Sequence, residues 1–148
     1  MNYVASNGQV AEADYPYTSG RGVTGSCLTT KTKNPLVHVA KVNTVQRYSA
    51  SQLMAAIANG PVSVTVEADT AVFQGYTGGI LNSSKCGTNL DHAITAVGYG
   101  NQNGQNYYIV RNSWSASWGD KGYIMIAAVE GTAGICGIQQ TSVWPNMQ

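Results

Sequence analysis

The sequence is poor in charge, long apolar runs and cysteine, and each scarcity excludes a class of protein. Asp, Glu, Lys and Arg make up 10% of the 148 residues, and the formal net charge is +1. Such a chain lacks the strongly basic surface that nucleic acids and anionic membranes attract. No stretch approaches the roughly 18 apolar residues of a transmembrane helix. The opening MNYVASNGQV has neither a basic start nor an apolar middle, so it is not predicted to be a signal peptide.

Metal-ligand spacings are absent as well. The candidate ligands are Cys27, Cys86, Cys136, His38 and His92. They form no C-x-x-C motif and no close histidine pair, so we predict neither a metal site nor a cofactor. Three cysteines are an odd number, and in an oxidising compartment one thiol would have to find its partner outside this chain.

Glycine and tyrosine are abundant, with 17 and 9 residues, and this composition favours strands and turns over a helical bundle. One helix is nevertheless well marked. Ser49 and Gln52 form a capping box, Leu53 and Ile57 follow at helical spacing, and Asn59-Gly60-Pro61 ends the segment. The region 11–34 is rich in Gly, Thr, Ser and Pro and is predicted to be irregular.

Five strands are predicted after residue 35. Val62, Val64 and Val66 alternate with polar residues, which is typical of a half-buried strand. Two apolar segments, 93–98 and 107–112, flank an Asn-Gly turn and predict a hairpin inside a sheet. Shorter patterns suggest further strands at 36–45 and 122–127.

The hairpin brings a histidine and an asparagine together. Facing residues in a hairpin have numbers with a constant sum, which is about 206 for a turn centred near residue 103. His92 and Asn112 sum to 204, so their side chains are predicted to be neighbours. Spacing alone does not determine the face on which they lie.

Such a pair has two interpretations. The asparagine oxygen could accept the Nδ1 proton of the imidazole and direct Nε2 toward a thiol or hydroxyl, which is the arrangement of a base and its orienting residue in nucleophilic catalysis. Alternatively, the pair is a partly buried histidine satisfied by a neighbouring amide. His92 and Asn112 by themselves leave both interpretations open.

The surrounding residues resemble the papain-like cysteine peptidases, in particular their cathepsin L-like branch. The resemblance rests on LDHAITAVGYG (90–100) and NYYIVRNSWSASWGDKGYIMI (106–126). Further matches follow the same order: EADYPY (12–17), GPVSVTVEA (60–68), FQGYTGGI (73–80) and ICGIQQTSVWP (135–145). The resemblance extends over nearly the whole chain.

The resemblance implies an α+β papain-like fold and a role for several residues. His92 would be the general base and proton donor, and Asn112 would orient it. A Cys86–Cys136 disulfide would bridge loops beside the cleft. The residues implied in substrate binding are Thr65, Leu90, Asp91, Ala93, Trp114, Trp118 and Thr141. Trp114 and Trp118 would shield the His–Asn hydrogen bond. Thr65, Leu90, Ala93 and Thr141 would line an uncharged pocket that prefers an apolar substrate side chain.

The family nucleophile is missing from the sequence. Gly25-Ser26-Cys27 is a partial match, but Leu28 follows where the family has an aromatic residue. Cys27 also lies only 65 residues before His92 (92 − 27), whereas the family separation is roughly 130 or more. By resemblance, Cys27 would instead be half of a disulfide to a segment outside this chain.

By the same resemblance, residues 1–34 would be the end of the helical domain with the crossover loop, and 35–148 a β-barrel-like domain with one packed helix. The nucleophile would belong to a missing N-terminal half or a companion chain, and the location would be lysosomal, vacuolar or secreted. The chain would then be part of a divided peptidase or a fragment of a complete one. An inactive peptidase-like component of a larger assembly is the alternative, and the tyrosine content alone would also suit a ligand-binding β domain.

Overall fold

The structure is a computed structural model that describes residues 1–147 and divides them into two compact units. The first unit comprises Met1–Asn43 and the end of the chain from Pro145, and the second comprises Thr44–Trp144. Among the described residues, no helix is long and apolar enough to cross a membrane.

The first unit is largely irregular, as its Gly- and Thr-rich sequence predicts. It contains helix α1 (Asn2–Asn7), a 3-10 turn (Thr29–Thr32) and strand β1 (Val39–Thr44), which neighbours the end of strand β7 (Ser142–Met147). Tyr15 supports the loop, because its Oη accepts a hydrogen bond from the backbone N of Leu28 (2.9 Å).

The predicted helix is confirmed as α2 (Ala50–Ala58). Ser49 Oγ accepts from the backbone N of Gln52 (3.3 Å) and so satisfies one of the free N–H groups of the first turn. Leu53 and Ile57 are buried on one face, as their spacing predicts, and the helix ends at the residue before Asn59.

The second unit contains a sheet with the strand order β7-β2-β4-β5-β6-β3. The further elements of this unit are β2 (Val62–Val66), α3 (Ala71–Gln74), β3 (Ile80–Leu81), β4 (His92–Gln102), β5 (Gln105–Arg111) and β6 (Tyr123–Ala127). Strands β2–β4, β2–β7, β4–β5 and β5–β6 pair antiparallel, whereas β3 and β6 pair in parallel. The predicted α+β class is therefore confirmed, with a sheet that does not close within residues 1–147 and with α3 as a second, short helix.

Strands β4 and β5 form the predicted hairpin and lie at the centre of the sheet. Its turn places Asn103 (φ 52°) and Gly104 (φ 83°) in the left-handed region, which is the conformation that a two-residue hairpin turn requires. A bulge between Ala96 and Gly98 shifts the register by one residue. Because of it, Val97 is 41% exposed although its strand is central.

The core of the second unit is continuous and mostly aliphatic. Its fully buried members include Val62, Val64, Val66, Phe73, Tyr108, Val110, Ile124, Ile126 and Ile138. The resemblance-based disulfide is confirmed between Cys86 and Cys136, with Cα atoms 4.8 Å apart.

Removal of this disulfide is expected to destabilise the chain by about 2–4 kcal/mol, because it constrains a 50-residue separation in the unfolded state. The double variant Cys86→Ala/Cys136→Ala tests this in urea unfolding. Cys27→Ala is the matched control, since Cys27 is an exposed free thiol, and it should change the free energy of unfolding by less than about 0.5 kcal/mol. Equal stability of the double variant and the control would contradict the prediction.

A carboxylate at the start of α2 makes part of the stability depend on pH. Glu130 Oε2 accepts from the backbone N of Ser51 (2.8 Å), and this hydrogen bond, followed by one from the side chain of Ser49, lowers the pKa of Glu130. A carboxyl whose folded pKa is lowered stabilises the protein above its unfolded pKa, and this stabilisation is lost as the pH falls through the folded pKa.

Glu130→Gln is therefore expected to lower the melting temperature at about pH 7, and this deficit should shrink toward about pH 2 as the wild-type carboxyl becomes protonated. Thermal melts of both proteins across that range measure the difference. A deficit that persists at the acidic end would mean that packing, and not charge, is responsible.

Candidate active site

The central hairpin brings His92 and Asn112 into hydrogen-bonding distance. His92 begins β4, Asn112 directly follows β5, and His92 Nε2 lies 2.9 Å from Asn112 Oδ1. Asn112 is only 8% exposed. The backbone N of Ser113 also donates to Oδ1 (2.7 Å), which identifies that atom as the oxygen, since a backbone N–H can only donate.

The ring nitrogen that contacts Asn112 is Nε2, so the prediction that Nδ1 would do so is wrong. Past the bulge, the register pairs Thr95 with Arg111, and the same sum of 206 places Asn112 diagonally from His92. The ring must therefore reach across a diagonal, and its distal nitrogen makes the contact. Because Oδ1 only accepts, the neutral imidazole carries its proton on Nε2, which leaves Nδ1 free to accept a proton.

Two tryptophans surround this hydrogen bond. The ring of Trp114 stacks on His92 (centroids 5.1 Å apart, 26° between planes), and Trp118 meets the edge of Trp114 (5.4 Å, 81°). Trp118 Nε1 donates to the carbonyl of Gln74 (3.0 Å). The imidazole therefore has one restricted orientation and a largely apolar neighbour on one face.

Phe73 completes this aromatic group, and the sequence argument missed it. It is fully buried, stacks on Trp118 (5.2 Å, 28°) and meets Trp114 edge-on (5.6 Å, 87°). Phe73 lies on α3, whose four residues are too few to show helical periodicity. The Thr70 side chain at the N-cap of α3 accepts from the backbone N of Phe73 (3.4 Å). The sequence signal for this helix was Thr70, a residue type favoured at helix N-caps, three residues before the single phenylalanine of the sequence.

Three of the four predicted pocket residues lie together. Thr65 pairs with Ala93 across β2 and β4, and Thr65 Oγ1 donates to the carbonyl of Thr141 (3.3 Å). Leu90 lies on the adjoining segment and is 37% exposed. Its Cδ2 would be 2.7 Å from a Cβ at Gly137, so it packs directly on that backbone.

Both carboxylate oxygens of Asp91 accept hydrogen bonds from the backbone. Its Oδ1 accepts from the backbone N of Ala68 (2.8 Å), and its Oδ2 accepts from that of Asp69 (3.2 Å). The Asp91 carboxylate therefore holds the segment that follows β2 immediately beside His92, and both of its oxygens accept hydrogen bonds within the protein.

Cys27 is an exposed thiol in the first unit. Within residues 1–147, no group of three or more His, Cys, Asp or Glu side chains could hold a metal ion.

Comparison with known proteins identifies the family of the chain. The model of the papain family cysteine proteases matches residues 1–146. The chain belongs to this family. Papaya proteinase 4 of Carica papaya is 42% identical over 146 residues, which are 98% of this chain and 41% of that protein. Cysteine proteinase RD21A of Arabidopsis thaliana is 40% identical over 98% of this chain and 31% of its own length.

Solved structures of family members share the fold. The bromelain protease from Ananas comosus, in complex with the E64 inhibitor, matches with a TM-score of 0.86 and 39% identity, over 99% of this chain and 67% of that one. A cysteine protease from Carica candamarcensis, also in complex with E-64, matches with a TM-score of 0.85 and 40% identity, over 98% and 65% of the two chains. This papain-family chain thus spans well under half of the two curated relatives described above.

Proposed function

We propose that this chain is the C-terminal part of a cysteine endopeptidase and supplies its base and orienting residue. The observation that carries the proposal is the Nε2–Oδ1 hydrogen bond of 2.9 Å between His92 and Asn112 under the Trp114 ring. A histidine held in one tautomer, with one nitrogen left free, is suited to taking a proton from a nucleophile and returning it to a leaving group.

The chemistry is acyl transfer through a thiol supplied by a segment outside these 148 residues. The thiol loses its proton to Nδ1 of His92 and attacks the peptide carbonyl, and the imidazolium then protonates the departing amine. In the second half of the cycle, water attacks the thioester carbonyl and gives a proton to His92. The carbon–sulfur bond then breaks, the carboxylic acid product leaves, and the imidazolium returns the proton to the thiolate. Asn112 keeps the ring oriented throughout and, as a neutral amide, adds no charge beside the imidazolium.

The predicted pocket suits an apolar side chain of the substrate. Thr65, Leu90, Ala93 and Thr141 carry no charge. The nearest carboxylates in sequence, Glu67 and Asp91, are each engaged by backbone N–H groups. None of these four pocket side chains is a carboxylate that could select arginine. Trp114 and Trp118 would border the side of the cleft that receives the leaving group.

We further propose that Cys27 pairs with a cysteine of the nucleophile-bearing half, since it is exposed and free in this chain. The Cys86–Cys136 disulfide supports a lysosomal, vacuolar or secreted location, because structural disulfides persist in oxidising compartments. One relative, a KDEL-tailed cysteine endopeptidase of Arabidopsis thaliana that is 39% identical, carries the tail that marks retention in the endoplasmic reticulum.

Labelling of the native material with a peptidyl epoxide, followed by peptide mass mapping, tests the proposal. We expect an adduct on a cysteine outside residues 1–148, and its loss when His92 is replaced by alanine. Arg111→Ala changes an exposed residue adjacent to Asn112 and is the control; it should leave the adduct unchanged. An adduct on Cys27 would assign the nucleophile to this chain, and no adduct in folded material would favour an inactive structural component.

A further inference from the structure

Glu67 is a buried carboxylate to which the proposed mechanism gives no role. It directly follows β2, is 9% exposed, and accepts a hydrogen bond through Oε2 from the backbone N of Asn89. A Cβ at Gly87 would collide with both of its carboxylate oxygens. Gly87 has φ 75°, so the chain passes close over the carboxylate in a conformation that favours glycine.

The Glu67 carboxylate lies under the segment 86–90, which ends at Leu90. Besides Glu67, the disulfide to Cys136 holds its beginning. Gln140 Nε2 donates to the carbonyl of Thr88 (2.8 Å) and holds its middle. Thr88, Asn89 and Leu90 are themselves exposed, so these side-chain attachments replace the burial that would otherwise order the segment.

We propose that Glu67 is a positioning residue for substrate specificity, which it controls by fixing the 86–90 segment and thereby the Leu90 wall of the pocket. This rests on the proposed function, since Leu90 is a pocket wall only if the chain is part of a peptidase. The backbone of Glu67 adds to the geometry, because its N donates to the carbonyl of Cys136 (2.9 Å). One residue therefore contacts both chain segments that the disulfide joins.

Three variants separate the hydrogen bond of the carboxylate from its volume. Glu67→Gln keeps both the volume and an oxygen that can accept from Asn89 N. Glu67→Met keeps most of the volume without that acceptor, and Glu67→Ala removes both. Glu130→Gln is the matched control, since Glu130 also accepts from a backbone N–H, but at the start of α2.

The first measurement is hydrogen exchange of the Asn89 backbone amide in this chain alone. It does not require the chain to be catalytically active. We expect Glu67→Ala to lose roughly 10-fold or more of the protection, since the lost bond is worth at least about 1.5 kcal/mol. Glu67→Gln should restore most of the protection, and Glu130→Gln should not change it. Unchanged protection in Glu67→Ala would overturn the proposal. If that variant does not fold, Glu67→Met takes its place: a loss of roughly 10-fold or more supports the proposal, and protection equal to that of the wild type overturns it.

The second readout is the ratio of kcat/KM for matched substrates with leucine or alanine two residues before the cut, in the chain assembled with its nucleophile-bearing half. We expect Glu67→Ala to reduce this ratio by roughly 10-fold, mainly through KM, as for the loss of an apolar pocket contact. An unchanged ratio would overturn the specificity role. Absence of activity in the wild type would refute the proposed function instead, and the exchange measurement would still decide whether Glu67 holds the segment.

Asn82 begins the sequence Asn82-Ser83-Ser84, which is an N-glycosylation sequon. Asn82 directly follows β3, the last strand in the sheet order, and both Asn82 and Ser84 are exposed. Asn82 Nδ2 donates to Oε1 of the half-buried Gln105 (3.3 Å). Ser83 Oγ accepts from the backbone N of Lys85 (3.3 Å).

We infer that Asn82 is a site of N-glycosylation, on the secretory route proposed above. Asn82 Nδ2 would form a bond to the anomeric carbon of a lipid-linked oligosaccharide. The bond from that carbon to the pyrophosphate breaks, the lipid pyrophosphate leaves with the electron pair, and Nδ2 gives up one proton. The glycan would lie at the open β3 edge of the sheet and hinder its pairing with another strand.

Expression through a eukaryotic secretory pathway, with intact-mass measurement before and after enzymatic removal of N-glycans, tests the site. We expect a glycan mass that disappears in Asn82→Gln and in Ser84→Ala. Ser83→Ala keeps the sequon and should keep the glycan. A secreted, folded wild-type chain with no glycan mass would overturn the inference, and so would a glycan that survives in Asn82→Gln.

Discussion

Replacement of His92 by alanine, in the chain assembled with its nucleophile-bearing half, is expected to lower kcat/KM by roughly 10⁴-fold. His92 Nδ1 is the nitrogen left free by the bond to Asn112, and no other imidazole is available beside Asn112 to activate the thiol. The loss should lie in kcat, because the proposed substrate pocket consists of other residues. Steady-state kinetics with a peptide substrate measure it.

Asn112→Ala serves as the graded comparison. It removes the acceptor that fixes the tautomer but leaves the imidazole, so we expect a smaller loss, on the order of 10²-fold. Arg111→Ala is a suitable control, since Arg111 is adjacent in sequence but exposed. If His92→Ala kept activity within about 10-fold of wild type, the proposed role of the histidine would be wrong.

Replacement of Phe73 by alanine is expected to lower the free energy of unfolding by about 3–5 kcal/mol. Phe73 is fully buried and contacts both Trp114 and Trp118. The truncation therefore removes apolar contact, leaves a cavity and forfeits the aromatic pairs. Trp114 in turn stacks on His92, so the loss should also loosen the imidazole.

Urea unfolding followed by tryptophan fluorescence measures this loss of stability. Two further variants serve as comparisons. Phe73→Leu fills most of the volume and should cost clearly less than alanine. Tyr17→Ala changes an aromatic side chain that is 74% exposed and should stay within about 0.5 kcal/mol of wild type. A Phe73→Ala variant as stable as Tyr17→Ala would show that the aromatic cluster does not contribute to the core.

Local signals in the sequence were sufficient where a few neighbouring residues dictate the conformation. Ser49 and Asn59-Gly60-Pro61 bounded α2 correctly, and alternation of Val62, Val64 and Val66 identified β2. Asn103-Gly104 predicted the central hairpin, because few other residue pairs adopt its positive φ angles without strain.

Sequence patterns failed where an element was too short or the partner was distant. Helix α3 and strand β3 have four and two residues, so neither shows a period. The parallel pairing of β3 with β6 joins residues about 45 positions apart. The bulge between Ala96 and Gly98 leaves no clear mark in a sequence, yet it changes the register toward His92.

The sequence by itself determined that His92 and Asn112 are neighbours, because both belong to one hairpin and the turn sets the pairing. The tertiary structure decided which imidazole nitrogen meets Asn112, and it assembled Phe73 and Trp118 beneath Trp114. Those outcomes depend on the strand register and on α3, which packs Phe73 against Trp114 and Trp118, 41 and 45 residues later in the chain. Contacts between distant segments are decided by the packing of the whole core, and that packing is not a property of any local pattern.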